Sequence, residues 1–298
     1  MTVPETVLSA STTPVRQGEI YDRGYQHYDG ARLGRRHAIW ALVIYSMKRA
    51  LGIKKGVGAK IIPILLYVGV ALPVVISIGI RAFLPSAEVL GYSDFFGVIF
   101  VIEGIFVATI APEMLCGDRR ENVLALYFSR TITRADYLFS KLIATAILTM
   151  TVSLIPAAIL WLGRQLLEDG PLRAMRDHLD DLGRIGIAGV MIALFLGALG
   201  LVISSFTGRK SIAVAIIVLG FLIAEALAAA LNVAVDNPDL GKYILFLSPS
   251  STIAGLVGRL FDEPNLGTEL AFRWIFGEML AVIVVACGVM YLRYVPNE

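Results

Sequence analysis

Residues 61–80 read IIPILLYVGVALPVVISIGI, twenty positions without a charge between Lys60 and Arg81. In an α-helix, about 20 apolar residues cross the roughly 30 Å of hydrocarbon in a bilayer. This run therefore predicts one membrane-spanning helix. Of the 298 residues, 57% are hydrophobic and 17% are charged, against about 45–50% and about 25% in soluble domains. The composition excludes a disordered chain and a disulfide scaffold, and it disfavours a soluble enzyme.

Five further apolar runs fit a membrane-spanning helix, which makes six in all. They are residues 95–116, 142–163, 185–208, 211–235 and 272–292. The predicted fold class is therefore all-α, a polytopic membrane protein whose six transmembrane helices lie in a domain over residues 35–298. Residues 1–34 begin with a Ser/Thr/Pro-rich stretch and are predicted to be a cytoplasmic segment that is partly flexible.

Lys and Arg residues are distributed unevenly between the two sides of a six-span chain. The side that holds both termini receives 18 of the 26 basic residues, and the other side receives 8. The positive-inside rule then places both termini in the cytoplasm of a multi-pass protein of the plasma (inner) membrane. The formal net charge of +2 gives no case for nucleic-acid binding.

Three shorter segments complete the predicted architecture. Residues 35–51 carry Trp40 between basic ends, which is typical of an interfacial helix in the headgroup region. Residues 207–210 form so short a link that the fourth and fifth spans must make an antiparallel hairpin. Residues 243–258 are free of charge but short, and Ser248-Pro249 interrupts them. They predict a re-entrant segment before the last helix.

The link between the second and third spans, residues 117–141, reads GDRRENVLALYFSRTITRADYLFSK. Gly117 is expected to cap the end of the second span. Thr133 and Asp136 fit a capping box, so the third helix should begin near Arg134. Residues 122–129 combine large apolar side chains with charged flanks. They predict a short helix that docks on a partner, whereas a solvated linker is the simpler alternative.

Four acidic residues fall within the predicted spans, and two of them, Glu103 and Glu225, lie far from either end of their span. Glu103 lies near the middle of the second span, and Glu225 lies past the middle of the fifth. An acid at this depth usually faces protein or water, because exposure of a charge to hydrocarbon is costly. The two residues are therefore candidates for a translocation path. The equal alternative is that each is a protonated or hydrogen-bonded bridge between helices.

Motifs of known chemistry are missing from the sequence. Residues 208–211 read GRKS, but Ile203 occupies the position where a phosphate-binding loop has its first glycine. The three histidines lie outside the predicted spans, and the two cysteines make no metal pair. No catalytic residue, metal site or cofactor is therefore predicted in this chain.

In its order of elements, the chain resembles the permease subunit of the type-2 ABC exporter family over about residues 35–293. The resemblance rests on the interfacial helix, the charged loop after span two, the tight hairpin and the Ser-Pro segment. It also rests on Glu113-x-x-x-Gly117-Asp118 and on Ser129-Arg130-x-x-x-Arg134-x-x-Tyr137-x-x-x-Lys141. These stretches look like the region through which family members couple to their ATPase.

The resemblance implies a transport role and a set of partners. Two permeases, identical or different, would form the substrate path in the lipid membrane. Separate ABC ATPase subunits would bind ATP and Mg²⁺, and the short helix after span two would insert into them. The ATPase-coupling residues so implied are Asp118, Arg119, Arg120, Glu121, Asn122, Leu124, Tyr127 and Arg130.

Two other classes of function compete with transport. The chain could be an integral-membrane lipid or prenyl transferase, or a membrane assembly partner that transports nothing. Co-purification of a nucleotide-binding subunit favours the permease, whereas lipid turnover by the chain alone favours the enzyme.

Overall fold

A computed structural model describes residues 30, 33–53, 56–84, 90–128, 132–235, 238–263 and 271–294. These residues form eleven α-helices and one 3-10 helix, Leu245–Leu247, and contain no β-strand. The α-helices are α1 (Arg35–Ala50), α2 (Gly58–Phe83), α3 (Tyr92–Arg120), α4 (Leu124–Phe128), α5 (Arg134–Leu166), α6 (Pro171–Asp177), α7 (Leu179–Phe206), α8 (Lys210–Ala234), α9 (Pro238–Ile244), α10 (Pro249–Phe261) and α11 (Phe272–Tyr294). The all-α prediction is confirmed. The predicted segment at residues 1–34 lies outside the described residues, apart from 30, 33 and 34, and stays a prediction.

Six of the described helices are long and apolar enough to cross a membrane, which confirms the predicted number. They are α2, α3, α5, α7, α8 and α11. Most of these helices are longer than the apolar runs that predicted them, because polar turns continue the helix beyond the apolar run. At the start of α5, the Thr133 hydroxyl accepts the Asp136 N–H at 3.2 Å, and the Asp136 carboxylate accepts the Thr133 N–H at 3.0 Å. This reciprocal pair is the predicted capping box.

The core lies around α3, α5 and α7. In the most apolar part of α3 and of α7, 67% of the residues are buried, against 22% in α2 and 17% in α8. Small residues bring the central helices close together. At Gly200 of α7, an added Cβ would collide with the Val107 side chain of α3. The peripheral helices α2, α8 and α11 therefore leave broad apolar faces uncovered.

The segment predicted to be interfacial forms a helix, α1, which packs against α5 and α3. Its buried residues are Leu42, Val43, Ser46 and Ala50, whereas Trp40 is 55% exposed. One face of α1 is thus fixed to the spanning helices, and the opposite face carries the tryptophan. The position of this helix in the headgroup region stays a prediction.

The link between the fourth and fifth spans and the Ser248-Pro249 interruption lie where the sequence predicted them. α7 ends at Phe206 and α8 begins at Lys210, and the two helices pack against each other as a hairpin. α10 begins at Pro249, where the Ser248 hydroxyl accepts the Ser251 N–H at 3.1 Å. Proline in the first turn of a helix costs no backbone hydrogen bond. The depth of this segment in a membrane stays a prediction.

Candidate functional site

Asp118, the first of the predicted coupling residues, lies at the centre of a buried group of charges. Its Oδ1 accepts a hydrogen bond from Arg49 Nη1 at 3.0 Å, and its Oδ2 lies 2.7 Å from Lys141 Nζ. The Tyr137 hydroxyl donates to Oδ2 at 3.0 Å. The Asp118 side chain is 0% exposed and that of Lys141 is 1% exposed. Three helices, α1, α3 and α5, therefore meet at one carboxylate.

Three neighbouring groups favour the charge of Lys141. It pairs with Asp118, donates to Ser46 Oγ at 2.9 Å, and lies 5.1 Å from the centre of the Tyr137 ring. Removal of an ammonium group from water costs several kcal/mol unless its interactions with water are replaced. These three contacts explain how a lysine can be buried here.

Arg49 joins this group from α1 and reaches two further acids. Its Nη2 lies 2.6 Å from Glu121, and its Nε lies 3.9 Å from Glu113. Burial opposes the charge of Arg49, but its hydrogen bond to Glu121 and the nearby Asp118 carboxylate outweigh burial and raise the Arg49 pKa. We call Ser46, Arg49, Asp118, Glu121, Tyr137 and Lys141 the Asp118 cluster.

The expectation that Gly117 ends the second span was wrong. α3 continues to Arg120, so Gly117 lies inside the helix. A Cβ at this position would collide with the Arg49 guanidinium group. The glycine therefore leaves the space through which Arg49 passes over α3 to reach Asp118.

A second set of contacts ties the same end of α3 to the α7–α8 hairpin and to α11. Glu113 lies 2.7 Å from Lys210 at the start of α8. Arg119 and Arg293 both donate to the Ser205 carbonyl oxygen near the end of α7. The Arg119 guanidinium group also lies 5.6 Å from the centre of the Tyr294 ring. This end of the molecule is therefore cross-linked by polar contacts between α1 and five spanning helices, α3, α5, α7, α8 and α11.

The predicted short helix after span two is α4, and it rests on the Asp118 cluster. Asn122 adopts the left-handed conformation, with φ of 52°, in the turn that redirects the chain after α3. The Tyr127 and Phe128 rings each lie 5.9 Å from the Tyr137 ring. Burial raises the pKa of Tyr127 to about 12, and the Asp118 charge contributes in the same direction. A continuous set of contacts thus leads from α4 through Tyr137 to Asp118.

The structure separates the predicted coupling residues into three groups. Asp118 and Arg119 face inward. Arg120, Glu121 and Asn122 are exposed, and the Arg120 side chain is 77% exposed. Leu124 and Tyr127 are half-buried in α4, and Arg130 lies outside the described residues. The assignment of all eight to ATPase coupling stays a prediction.

Sequence reasoning did not identify Arg49, Ser46 and Lys210 as members of this region. Arg49 lies at the basic C-terminal end of α1, 69 positions before Asp118 in the sequence. A buried partner for it could not be recognised, because nothing in a single segment shows which helix packs beside it.

The two candidate residues for a translocation path have different surroundings. Glu103 is completely buried in α3, and neither of its carboxylate oxygens has a hydrogen-bond partner among the described residues. Glu225 in α8 accepts hydrogen bonds from Ser248 and Ser250 at the start of α10. No hydrogen bond or ion pair in the described part of the chain joins the two acids. A role in a translocation path stays a prediction for both.

Metal-binding side chains do not gather in the described part of the chain. No group of three or more His, Cys, Asp or Glu residues lies there in positions that could hold an ion.

Comparison with known proteins identifies the family. The model of the ABC-2 family transporter protein matches residues 11–295, nearly the whole chain. A comparison with curated proteins gives no match. The matched region contains all six helices that can span a membrane, and the chain therefore belongs to the ABC-2 family, as the integral membrane permease of an ABC transporter.

Proposed function

We propose that this permease works as an exporter driven by separate ATPase subunits, which bind ATP and Mg²⁺ and dock on α4. The observation that carries this proposal is the position of α4 on the Asp118 cluster. A partner that moves α4 would act on Tyr137, whose hydroxyl group binds Asp118. Because Asp118 also binds side chains of α1 and α5, one displacement would reach three helices.

The surface around α4 has the composition of a docking site. Leu126 is 65% exposed, and the charged side chains of Arg120 and Glu121 lie close to it in the chain. Exposed apolar residues with flanking charges are typical of a surface that a partner covers. The half-buried Leu124 and Tyr127 anchor the short helix from the opposite side.

A second permease is the other partner of the proposal. α8 exposes a row of large apolar residues, and α2 is nearly as open. Lipid or a second copy of such a chain can cover these faces. In this proposal, a pair of permeases encloses the substrate path between them.

Purification of the tagged chain from its native membrane tests the proposal. We expect a nucleotide-binding subunit to co-purify in a stoichiometric amount, with ATP hydrolysis that requires Mg²⁺. Mass spectrometry of the purified sample identifies the subunit. A monodisperse permease that captures no nucleotide-binding protein would contradict the proposed coupling.

Cysteine labelling tests the proposed orientation in the plasma membrane, with both termini in the cytoplasm. Asp169 and Gly208 are exposed, and they lie at opposite ends of α7. In a background with Cys116→Ala and Cys287→Ala, we expect Asp169→Cys to react with a membrane-impermeant maleimide on intact cells. Gly208→Cys should react only after the cells are opened. The reverse pattern would overturn the orientation.

A further inference from the structure

The Ser-Pro segment is attached to α8 by one carboxylate. Glu225 Oε2 accepts hydrogen bonds from the Ser248 hydroxyl at 2.5 Å and from the Ser250 hydroxyl at 2.7 Å. Its Oε1 accepts the Ser250 backbone N–H at 2.9 Å. Ser248 also caps α10 by accepting the Ser251 N–H. Three donors from the first turn of α10 thus converge on a single residue of α8.

These contacts with Glu225 occur well before the C-terminal end of α8. Glu225 precedes Ala234, the last residue of α8, by nine positions, and this corresponds to about 13 Å at 1.5 Å per residue. α9 and the following 3-10 helix pack beside α8 and bring the chain back to the level of Glu225. α10 then leads away again, and at its far end the Phe261 ring stacks on Tyr92 of α3 at 4.6 Å. The segment therefore turns around at Glu225.

The two helices that Glu225 joins differ in how firmly they are held. Seven of the 13 residues of α10 are buried, and the helix packs against α3, α7 and α11. Only three of the 25 residues of α8 are buried. α10 therefore belongs to the core. In α8, the Phe221 ring lies 6.3 Å from the Phe100 ring of α3, and Ala228 is the one buried residue between there and the end of the helix. In this second half of α8, the hydrogen bonds of Glu225 attach α8 to α10.

The chemistry of the attachment favours two discrete states. The first N–H groups of a helix have no partner inside the helix and attract anions. Hydrogen bonds to a carboxylate are stronger than neutral ones, so the loss of all three is costly unless water replaces them. Displacement of α8 from α10 breaks all three bonds of Glu225 together, so the attachment is either complete or lost.

We propose that Glu225 is a latch that holds α8 against α10, and that its release opens the end of the substrate path opposite to α4. The second half of this statement rests on the proposed transport function. The first half does not, because the latch is formed within a single chain.

Distance measurements between spin labels test the latch on the permease alone. Leu172 on α6 and Val233 on α8 are both 86% exposed, and labels there report the position of α8 relative to the core. In the cysteine-free background, we expect one distance population for the unmodified latch. Glu225→Leu should add a second, longer population. The double variant Ser248→Ala and Ser250→Ala should do the same.

Ser251→Ala is the matched control. Ser251 lies in the same turn of α10, and it contacts the latch through its backbone N–H, which donates to Ser248 and is kept in the variant. This control should give the unmodified distribution. If the serine double variant and a folded Glu225→Leu variant both keep the single distance population, the proposal that Glu225 holds α8 against α10 is wrong. If Glu225→Leu is not monodisperse, the serine double variant decides.

The link to transport is tested in the complex with the ATPase. Trapping with ATP and vanadate should populate the longer distance in the unmodified chain. This shift should disappear when Glu225→Cys and Ser250→Cys are joined by a short bifunctional thiol reagent. An unchanged shift in the joined variant overturns the release step. Failure to capture an ATPase contradicts the proposed function instead and leaves the measurement on the permease alone as the test of the latch.

Discussion

Replacement of Asp118 by alanine is expected to destabilise the permease by about 3–5 kcal/mol. The substitution leaves the Lys141 ammonium group, which is 1% exposed, without its anion. It also removes a partner of Arg49 and the acceptor of the Tyr137 hydroxyl. An unpaired buried charge destabilises the fold by more than the intact ion pair stabilises it, because nothing then compensates the desolvation of the charge that remains.

Thermal unfolding in detergent, followed by tryptophan fluorescence, measures this effect. The expected decrease in Tm is roughly 5–10 °C. Glu121→Ala is the control, since Glu121 contacts the same Arg49 but its side chain is 44% exposed. A partly exposed ion pair contributes up to about 1 kcal/mol, so its loss should change Tm little. Equal effects of the two substitutions would show that Asp118 is not the centre of the cluster.

The combined substitution Asp118→Ala and Lys141→Met separates charge from packing. It removes the buried anion and the buried cation together, and it preserves most of the volume of the lysine side chain. We expect it to be more stable than Asp118→Ala alone. If the double variant is at least as unstable as the single one, the loss comes from packing and not from the unpaired ammonium group.

Combined substitution of Arg120→Glu and Leu126→Asp is expected to weaken binding of the ATPase at least about 30-fold, or about 2 kcal/mol. Both side chains point outward, with exposures of 77% and 65%. The change introduces negative charge on an exposed apolar surface of mixed charge. It leaves the buried members of the Asp118 cluster unaltered, although Arg120 itself lies 4.0 Å from Glu121 of that cluster. The affinity of purified permease in nanodiscs for the ATPase measures the effect.

α6 offers a matched control for the docking surface. Leu172 and Arg173 are 86% and 90% exposed on a short helix between α5 and α7. The same substitutions there, Leu172→Asp and Arg173→Glu, should leave ATPase affinity and Tm unchanged. If the α4 variant binds the ATPase as tightly as the α6 variant does, α4 is not the docking element.

Features that depend on a single segment could be predicted from the sequence. Hydropathy over about 20 residues located the six spans, since burial in hydrocarbon demands an uninterrupted apolar surface. Local hydrogen bonding located the start of α5 at Thr133 and the break at Ser248. α4 was located from an apolar stretch with charged flanks. These features follow from the chemistry of neighbouring residues, and no knowledge of the packing is needed.

The partners of the charged residues were decided only by the tertiary structure. Arg49 meets Asp118 because α1 packs across α3 where Gly117 has no side chain, and Ser248 meets Glu225 because the chain turns back along α8. Such pairs depend on the angle and register between helices, which side chains from many segments determine together. The sequence by itself therefore determined that this is a six-span membrane protein with short segments between its spans. Only the packing showed which charges are buried, which are exposed, and which acid of α8 is hydrogen-bonded to α10.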